Sequence, residues 1–246
     1  MAFVEGRKFV VVKTAEALAE AAALHLVQCT GNTGERHICL TGGSTPQRLY
    51  KLLATEPWRS KVPWDRVHWF IGDDRFVPES DPLSNMGTAR RLFLDACSNP
   101  DRIHPIPMAA DPHEAARLYA EQLAKAYGGD TLESHRPLFD LVLMGMGSDG
   151  HTASLFPNAP ALEETQKWVV GVDEAGLEPF VPRVTLTLPA LASSNEMLFL
   201  VSGHDKKPVL ERLLADEELP AGHAYSNGTT IWLLDRAAAP ETLRAG

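Results

Sequence analysis

The sequence predicts an α/β fold, with a mostly parallel sheet covered by helices on both faces. Short apolar runs alternate with longer segments of helical spacing along the whole chain. Runs such as Leu141-Val142-Leu143-Met144 are apolar without alternation, which fits strands buried on both sides. At 246 residues the chain fits one α/β domain, read here as residues 1–246 without a break.

Phe9 to Val12 reads as the first strand, and Ala15 to Val27, rich in Ala and Leu, as a helix. His37 to Leu40 is the next strand; it ends in Thr41-Gly42-Gly43-Ser44-Thr45-Pro46, and a helix follows through Leu53. Val67 to Ile71 is a strand ending in Gly72-Asp73-Asp74-Arg75. Ser84 to Leu94 has helical spacing, and His113 to Tyr127 shows it more clearly. Phe139 to Met144 runs into Gly145-Met146-Gly147-Ser148-Asp149-Gly150-His151. Val184 to Thr187, Met197 to Val201 and Thr229 to Leu234 complete the strands, with a helix from Pro208 to Leu214 between the last two. Pro157 to Pro160 and Glu174 to Pro182 are loops.

Composition narrows the function. Lys and Arg total 23 against 32 Asp and Glu, a net charge of -9. Such a surface repels nucleic acid and anionic membranes, which need clustered cations, but it tolerates a small anion where cations are gathered locally. The three cysteines, Cys29, Cys39 and Cys97, form no CxxC pair and are odd in number, so they read as reduced thiols and not as metal ligands or a disulfide framework. Met1 to Thr14 lacks the pattern of a leader, and no apolar stretch approaches the ~18 residues of a membrane span. A cytoplasmic, unanchored protein is expected.

Four glycine-bearing turns follow predicted strands, and ligands of open α/β sheets bind beyond the carboxyl ends of strands. In the first turn, Gly42 and Gly43 let the backbone curl round an anion, Ser44 and Thr45 add donors, and Pro46 suits a first helical position. It is either a phosphate cradle or a tight turn capped by Ser44 or Thr45. Pro46 removes the second glycine of a nucleophile elbow. In the second turn Arg75 offers planar donors to an anion, or else forms an ordinary Asp–Arg pair on an exposed loop.

The third turn contains a formal GxGxxG. Pro157 and Pro160 interrupt the helix that a dinucleotide turn must open, and no ribose-binding acid follows. What remains is Asp149 and His151, one glycine apart at the mouth of a buried strand. An imidazole can take a proton from water at physiological pH while a carboxylate fixes its orientation. In the fourth turn Lys206 and Lys207 oppose the dipole of the helix they open, which an anion would compensate; Lys207 reads as a solvated charge. Arg183 is a further cation, at the entrance of a strand.

The strings TGGSTP at 41–46, GDDR at 72–75, DPLSN at 81–85, GMGSDGHTASLFP at 145–157 and RVTLT at 183–187, with the GxxK spacing of Gly203 and Lys206, resemble the glucosamine-6-phosphate isomerase/6-phosphogluconolactonase family, on its lactonase side. The resemblance runs from about residue 38 to 235. It implies a three-layer α/β/α fold like that of the glucosamine-6-phosphate deaminases, and a sugar-phosphate substrate. It also implies lactone hydrolysis in the oxidative pentose phosphate pathway without metal or organic cofactor. By matching positions, the family's catalytic histidine falls on His151. Its phosphate-binding elements fall on Gly42, Gly43, Ser44, Thr45 and Lys206, with Arg75 and Arg183 as substrate-binding cations. Where the family commonly has Asp-Glu-Arg, this chain has Asp73-Asp74-Arg75, leaving open what Asp74 contacts. The deaminases carry an acidic residue in an Asn-Glu-Pro string where this chain has Leu155-Phe156-Pro157.

Overall fold

Strand-forming segments organise into two sheets in a computed structural model, which describes residues 2–31 and 33–244. Strands β1 (Arg7–Val12), β2 (Arg36–Leu40), β3 (Val67–Ile71), β5 (Phe139–Met144), β8 (Ser194–Val201) and β9 (Thr229–Asp235) form a parallel sheet in the order β1-β9-β8-β5-β2-β3. Strands β4 (Asp73–Arg75), β6 (Val169–Val172) and β7 (Arg183–Leu186) form a smaller antiparallel sheet, with β7 in the middle.

Continuous burial explains the central strands. Leu141 to Met144 and Met197 to Val201 are buried at every position, as strands covered on both faces must be. Between β8 and β9 the Phe199 and Trp232 rings stack 3.9 Å apart. Helix α1 (Ala15–Thr30) starts where the Thr14 hydroxyl accepts the Ala17 amide, and buries Leu18, Ala22 and Leu26 at helical spacing. Helix α2 is Ser44–Leu53. Helix α3 (Pro112–Tyr127) has Asp111 as its cap, accepting the His113 and Glu114 amides, with Pro112 at the first helical position. Helix α4 is Lys207–Leu214.

The α/β fold with a parallel sheet and covering helices is as expected, and several details differ from the sequence reading. The strand placed at Val184 to Thr187 is β7 of the antiparallel sheet, not part of the parallel one. Asp73–Arg75, read as loop, is its partner β4, and β6 lacked a recognised signal. Ser84 to Leu94 is not one regular helix: Asn85–Ala89 is α-helical and Arg90–Leu94 winds into a π turn. Helix α2 begins at Ser44, so Pro46 is its third residue and not its first. Neither Ser44 nor Thr45 caps it, because Gly43 holds the cap position.

Strand order sets where a ligand can sit. From β2 the chain moves outward to β3, then returns to the other side of β2 at β5 and continues outward through β8 and β9. Connections therefore diverge between β2 and β5, and a crevice opens beyond their carboxyl ends. The four glycine turns leave β3, β2, β5 and β8, four consecutive strands of the sheet.

Candidate active site

The four turns enclose a cleft of about 270 Å³, lined among others by Gly42, Gly43, Arg75, Gly147, His151, Arg183 and Lys206. An adjoining recess of about 200 Å³ shares Gly42, Gly43 and Arg75 and adds Ser44. Thr45 lines neither. A larger hollow of about 720 Å³ lies between α3 and β6, but it contains none of the four turns. Size and chemistry thus disagree, and the convergence of titratable and cationic groups marks the smaller cleft.

His151 and Asp149 form a dyad. The ring Nδ1 is 2.6 Å from Asp149 Oδ1, and the His151 amide donates to the same oxygen at 3.1 Å. Partial burial pushes the Asp149 carboxyl up, but the ring and amide of His151 outweigh it and hold the carboxyl below its ordinary value. Asp149 is therefore an anion at neutral pH, and an anion there selects the tautomer with the proton on Nδ1. That leaves the Nε2 lone pair free to accept a proton. The Phe156 ring, 4.7 Å from the imidazole centroid, supports the histidine from the side.

Gly147 is what lets the dyad close. A Cβ at this residue would lie 2.1 Å from His151 Nδ1 and 2.7 Å from Asp149 Oδ1, so any side chain there would push the dyad aside. At Gly43 the requirement is conformational, since φ is 103° at the cap of α2. No side chain caps this helix, which leaves first-turn amides directed at the cleft mouth.

Three cations border the cleft. Arg75 and Arg183 are register partners across β4 and β7. Arg75 Nη1 donates to the Leu83 carbonyl at 2.6 Å, while its buried Nε has no partner. Arg183 Nε and Nη2 donate to the Val181 and Pro179 carbonyls at 3.2 and 2.8 Å. Among the described residues neither guanidinium forms a salt bridge. Burial and the charge of Arg75 pull the Arg183 guanidinium below its ordinary pKa, against the opposite influence of Asp73 and Asp74. Two close, desolvated positive charges are unfavourable alone, and an anion between them relieves both penalties. Lys206 reaches the cleft from the turn before α4, with its Nζ 3.2 Å from Asp205. Lys207 pairs instead with Glu211 one helical turn on, as its solvated reading requires.

Asp74, left open by the sequence, is a fastener. It is buried and accepts from the Arg75, Asn85 and Met86 amides and the Ser84 hydroxyl at 2.6 to 3.0 Å. Burial pushes its carboxyl up to about 6 against the pull of those amides. Of the two readings of this turn, the Asp–Arg pair is absent among the described residues: Asp74 binds backbone amides and the Ser84 hydroxyl and leaves Arg75 without a carboxylate partner. Asp73 accepts from the Ser154 hydroxyl at 2.7 Å, and its carbonyl accepts from the Asn85 side chain at 3.0 Å.

Two tyrosines were missed by the sequence reading. Tyr50 Oη bonds both the amide and the carbonyl of Thr41, and Tyr119 Oη bonds both those of Ile71. Each clamps the end of a strand just before a glycine turn. Both stand at core positions of helices, where nothing in the sequence separates a clamp from a packing residue. Asn85 and Ser154 lie inside strings whose resemblance was visible, without a role attached to either.

The chain is similar to known proteins over most of its length. The family model described as glucosamine-6-phosphate isomerases/6-phosphogluconolactonase matches residues 12–232. A 6-phosphogluconolactonase of Synechocystis sp. is 38% identical over 225 residues, covering 89% of each chain. One of Streptomyces coelicolor is 36% identical over 253 residues, covering 97% of this chain and 95% of the relative. The crystal structure of 6-phosphogluconolactonase from Thermotoga maritima superposes with a TM-score of 0.80 at 28% identity, covering 94% of this chain and 100% of the other. With 221 contiguous residues inside the family model and relatives above 35% identity across most of their length, this chain belongs to the glucosamine-6-phosphate isomerase/6-phosphogluconolactonase family.

Proposed function

We propose that this chain is a 6-phosphogluconolactonase, opening 6-phosphoglucono-1,5-lactone to 6-phosphogluconate. The observation that carries the reading is the juxtaposition, in one cleft, of two arginines without carboxylate partners and an imidazole whose outer nitrogen is free. An anionic ester answers both halves. The relatives bearing the lactonase name supply the substrate class.

In this proposal the phosphate is held by the Gly42 to Thr45 turn and Lys206, with Arg183 adding positive charge. Ser44 serves through the recess, and Thr45 through its backbone. His151 Nε2 takes a proton from water as the water oxygen bonds to the lactone carbonyl carbon. The carbonyl π electrons move onto oxygen, where Arg75 or nearby backbone amides stabilise the negative charge. As the tetrahedral intermediate collapses, the bond to the ring oxygen breaks, and His151 returns its proton to that oxygen. Asp149 holds the imidazole in its tautomer and stabilises the transient imidazolium. Neither a metal nor an organic cofactor takes part in the reaction, residues 1–246 act as a single lactonase domain, and the cytoplasm is its compartment.

The test is lactone consumption with freshly generated substrate, measured against spontaneous opening. His151→Ala is expected to lower kcat by ~10²–10⁴-fold with little change in KM. Nearly full activity in that variant overturns the assignment. Ammonia release from glucosamine 6-phosphate, expected to be absent, separates lactonase from deaminase within the family.

A further inference from the structure

A second chemical cluster lies at the opposite end of the sheet from the cleft. His25 and Cys29 stand four residues apart on α1 and so face the same way. Glu196 is near the amino end of β8, whereas the cleft lies beyond the carboxyl ends. One donor atom from each residue, imidazole nitrogen, sulfur and carboxylate oxygen, lies within 4.8 Å of the other two. Tetrahedral bonds of ~2.0–2.3 Å put donor atoms some ~3.3–3.7 Å apart, so small side-chain rotations close the set on an ion. His25 and Glu196 keep 22% and 33% of their side-chain surface, enough for entry and for a water as fourth ligand.

We propose that His25, Cys29 and Glu196 form a binding site for a zinc-class divalent ion. The donor set of nitrogen, sulfur and oxygen suits Zn²⁺ or Co²⁺ and disfavours Mg²⁺ and Ca²⁺, which take oxygen alone. Arg36, a cation near this cluster, is itself bonded to Asp140 at 3.1 Å. Without an ion, Glu196 is hydrogen-bonded to His25 Nε2. On binding, the imidazole changes tautomer, its proton passing from Nε2 to Nδ1 by way of solvent, so that the Nε2 lone pair turns to the ion; the thiol releases its proton to solvent and its sulfur becomes a thiolate ligand. The ion ties α1 to β8 far from the reacting groups, so its role is to hold the fold together.

Titration of the full chain with Co²⁺ tests this. One equivalent is expected to bind with near-ultraviolet thiolate-to-cobalt absorption and visible bands of a tetrahedral ion, and Zn²⁺ is expected to displace it. Cys29→Ser should abolish the thiolate band. His25→Gln and Glu196→Gln should each weaken binding by more than the ~10–100-fold typical of losing an outer-shell partner. Lactone hydrolysis should stay within twofold in all three variants. Protection of Cys29 from alkylation by Zn²⁺ in the unaltered chain gives the same answer if Cys29→Ser folds poorly. Binding without a thiolate band, binding that survives in all three variants, or no binding at millimolar metal would each overturn the site. None of these outcomes bears on the lactonase reading.

Discussion

The smallest possible side-chain addition, one methyl group at Gly147, is expected to disable the dyad while sparing the fold. A Cβ there meets His151 Nδ1 at 2.1 Å and Asp149 Oδ1 at 2.7 Å, whereas ordinary contact begins near 3.4 Å, so the ring has to withdraw by about 1.3 Å. Gly147 is not among the glycines with positive φ, so alanine avoids the left-handed penalty there. Its amide can still donate to the His151 carbonyl, at 2.8 Å in the native turn. The displacement therefore falls on the imidazole and its hydrogen bond to Asp149. A misplacement of ~1 Å at a reacting group lowers rates by ~10²-fold. We predict that Gly147→Ala loses about that factor in kcat, with KM within threefold and the thermal unfolding midpoint within a few degrees. The assay is the lactone reaction with correction for spontaneous opening, beside a thermal melt of the same preparation. A Gly147→Ala enzyme within threefold of full kcat would show either that the ring tolerates the shift or that His151 does not transfer the proton.

Three further perturbations address separate parts of the site and fold. Lys206→Ala is expected to raise KM by ~10–100-fold, the equivalent of one charge-assisted hydrogen bond, while kcat changes little; initial rates across substrate concentration decide it. Tyr119→Phe leaves the buried Ile71 amide and carbonyl without their side-chain partner and should cost about 2 kcal/mol in denaturant unfolding. The third concerns acid. His104, against Phe70 and 2.8 Å from His68, is pulled down to about 4 by burial and then by the neighbouring His68, His37 and Arg102. An unfolded histidine titrates near ~6.5, so the unfolded state binds the extra proton between these values. Stability from this group is present above about pH 6.5 and is lost as pH falls toward 4; in melts over that window, His104→Phe should lower proton uptake on unfolding by about one.

The sequence was most legible where physics acts locally. Buried parallel strands such as Phe139–Met144 show themselves by continuous apolarity, and α3 by its helical spacing from His113 to Tyr127. Glycine turns after β2, β3, β5 and β8 were visible because backbone that must curl or approach closely uses glycine. The antiparallel sheet was not legible: β4 has three residues, two of them acidic, and its formation depends on β7, more than a hundred residues away. Tyr50 and Tyr119 were hidden for a related reason, since a hydroxyl meeting a distant strand end leaves no periodic trace. The cluster of His25, Cys29 and Glu196 escaped because its third member comes from another element; reading cysteines by their spacing to one another cannot detect a ligand set shared between a helix and a strand.

The acids around the cleft explain how an acidic chain keeps cations available for an anionic substrate. Among 32 Asp and Glu residues, the two nearest to Arg75 in sequence are Asp73 and Asp74, the natural partners for it. Both are diverted, Asp73 to the Ser154 hydroxyl and Asp74 to the amides of Arg75, Asn85 and Met86 and to Ser84. Arg75 and Arg183 in turn satisfy part of their donor capacity with the carbonyls of Leu83, Val181 and Pro179, which orient a guanidinium without neutralising it. The placement has a stability penalty, because two like charges lie close together with partial burial. Asp73 and Asp74 offset that repulsion in part, and in the proposed site a substrate anion would relieve the remainder. A carboxylate introduced within reach of the pair should therefore stabilise the fold and weaken substrate binding together. Asp74 avoids that trade by turning its oxygens toward backbone amides and the Ser84 hydroxyl.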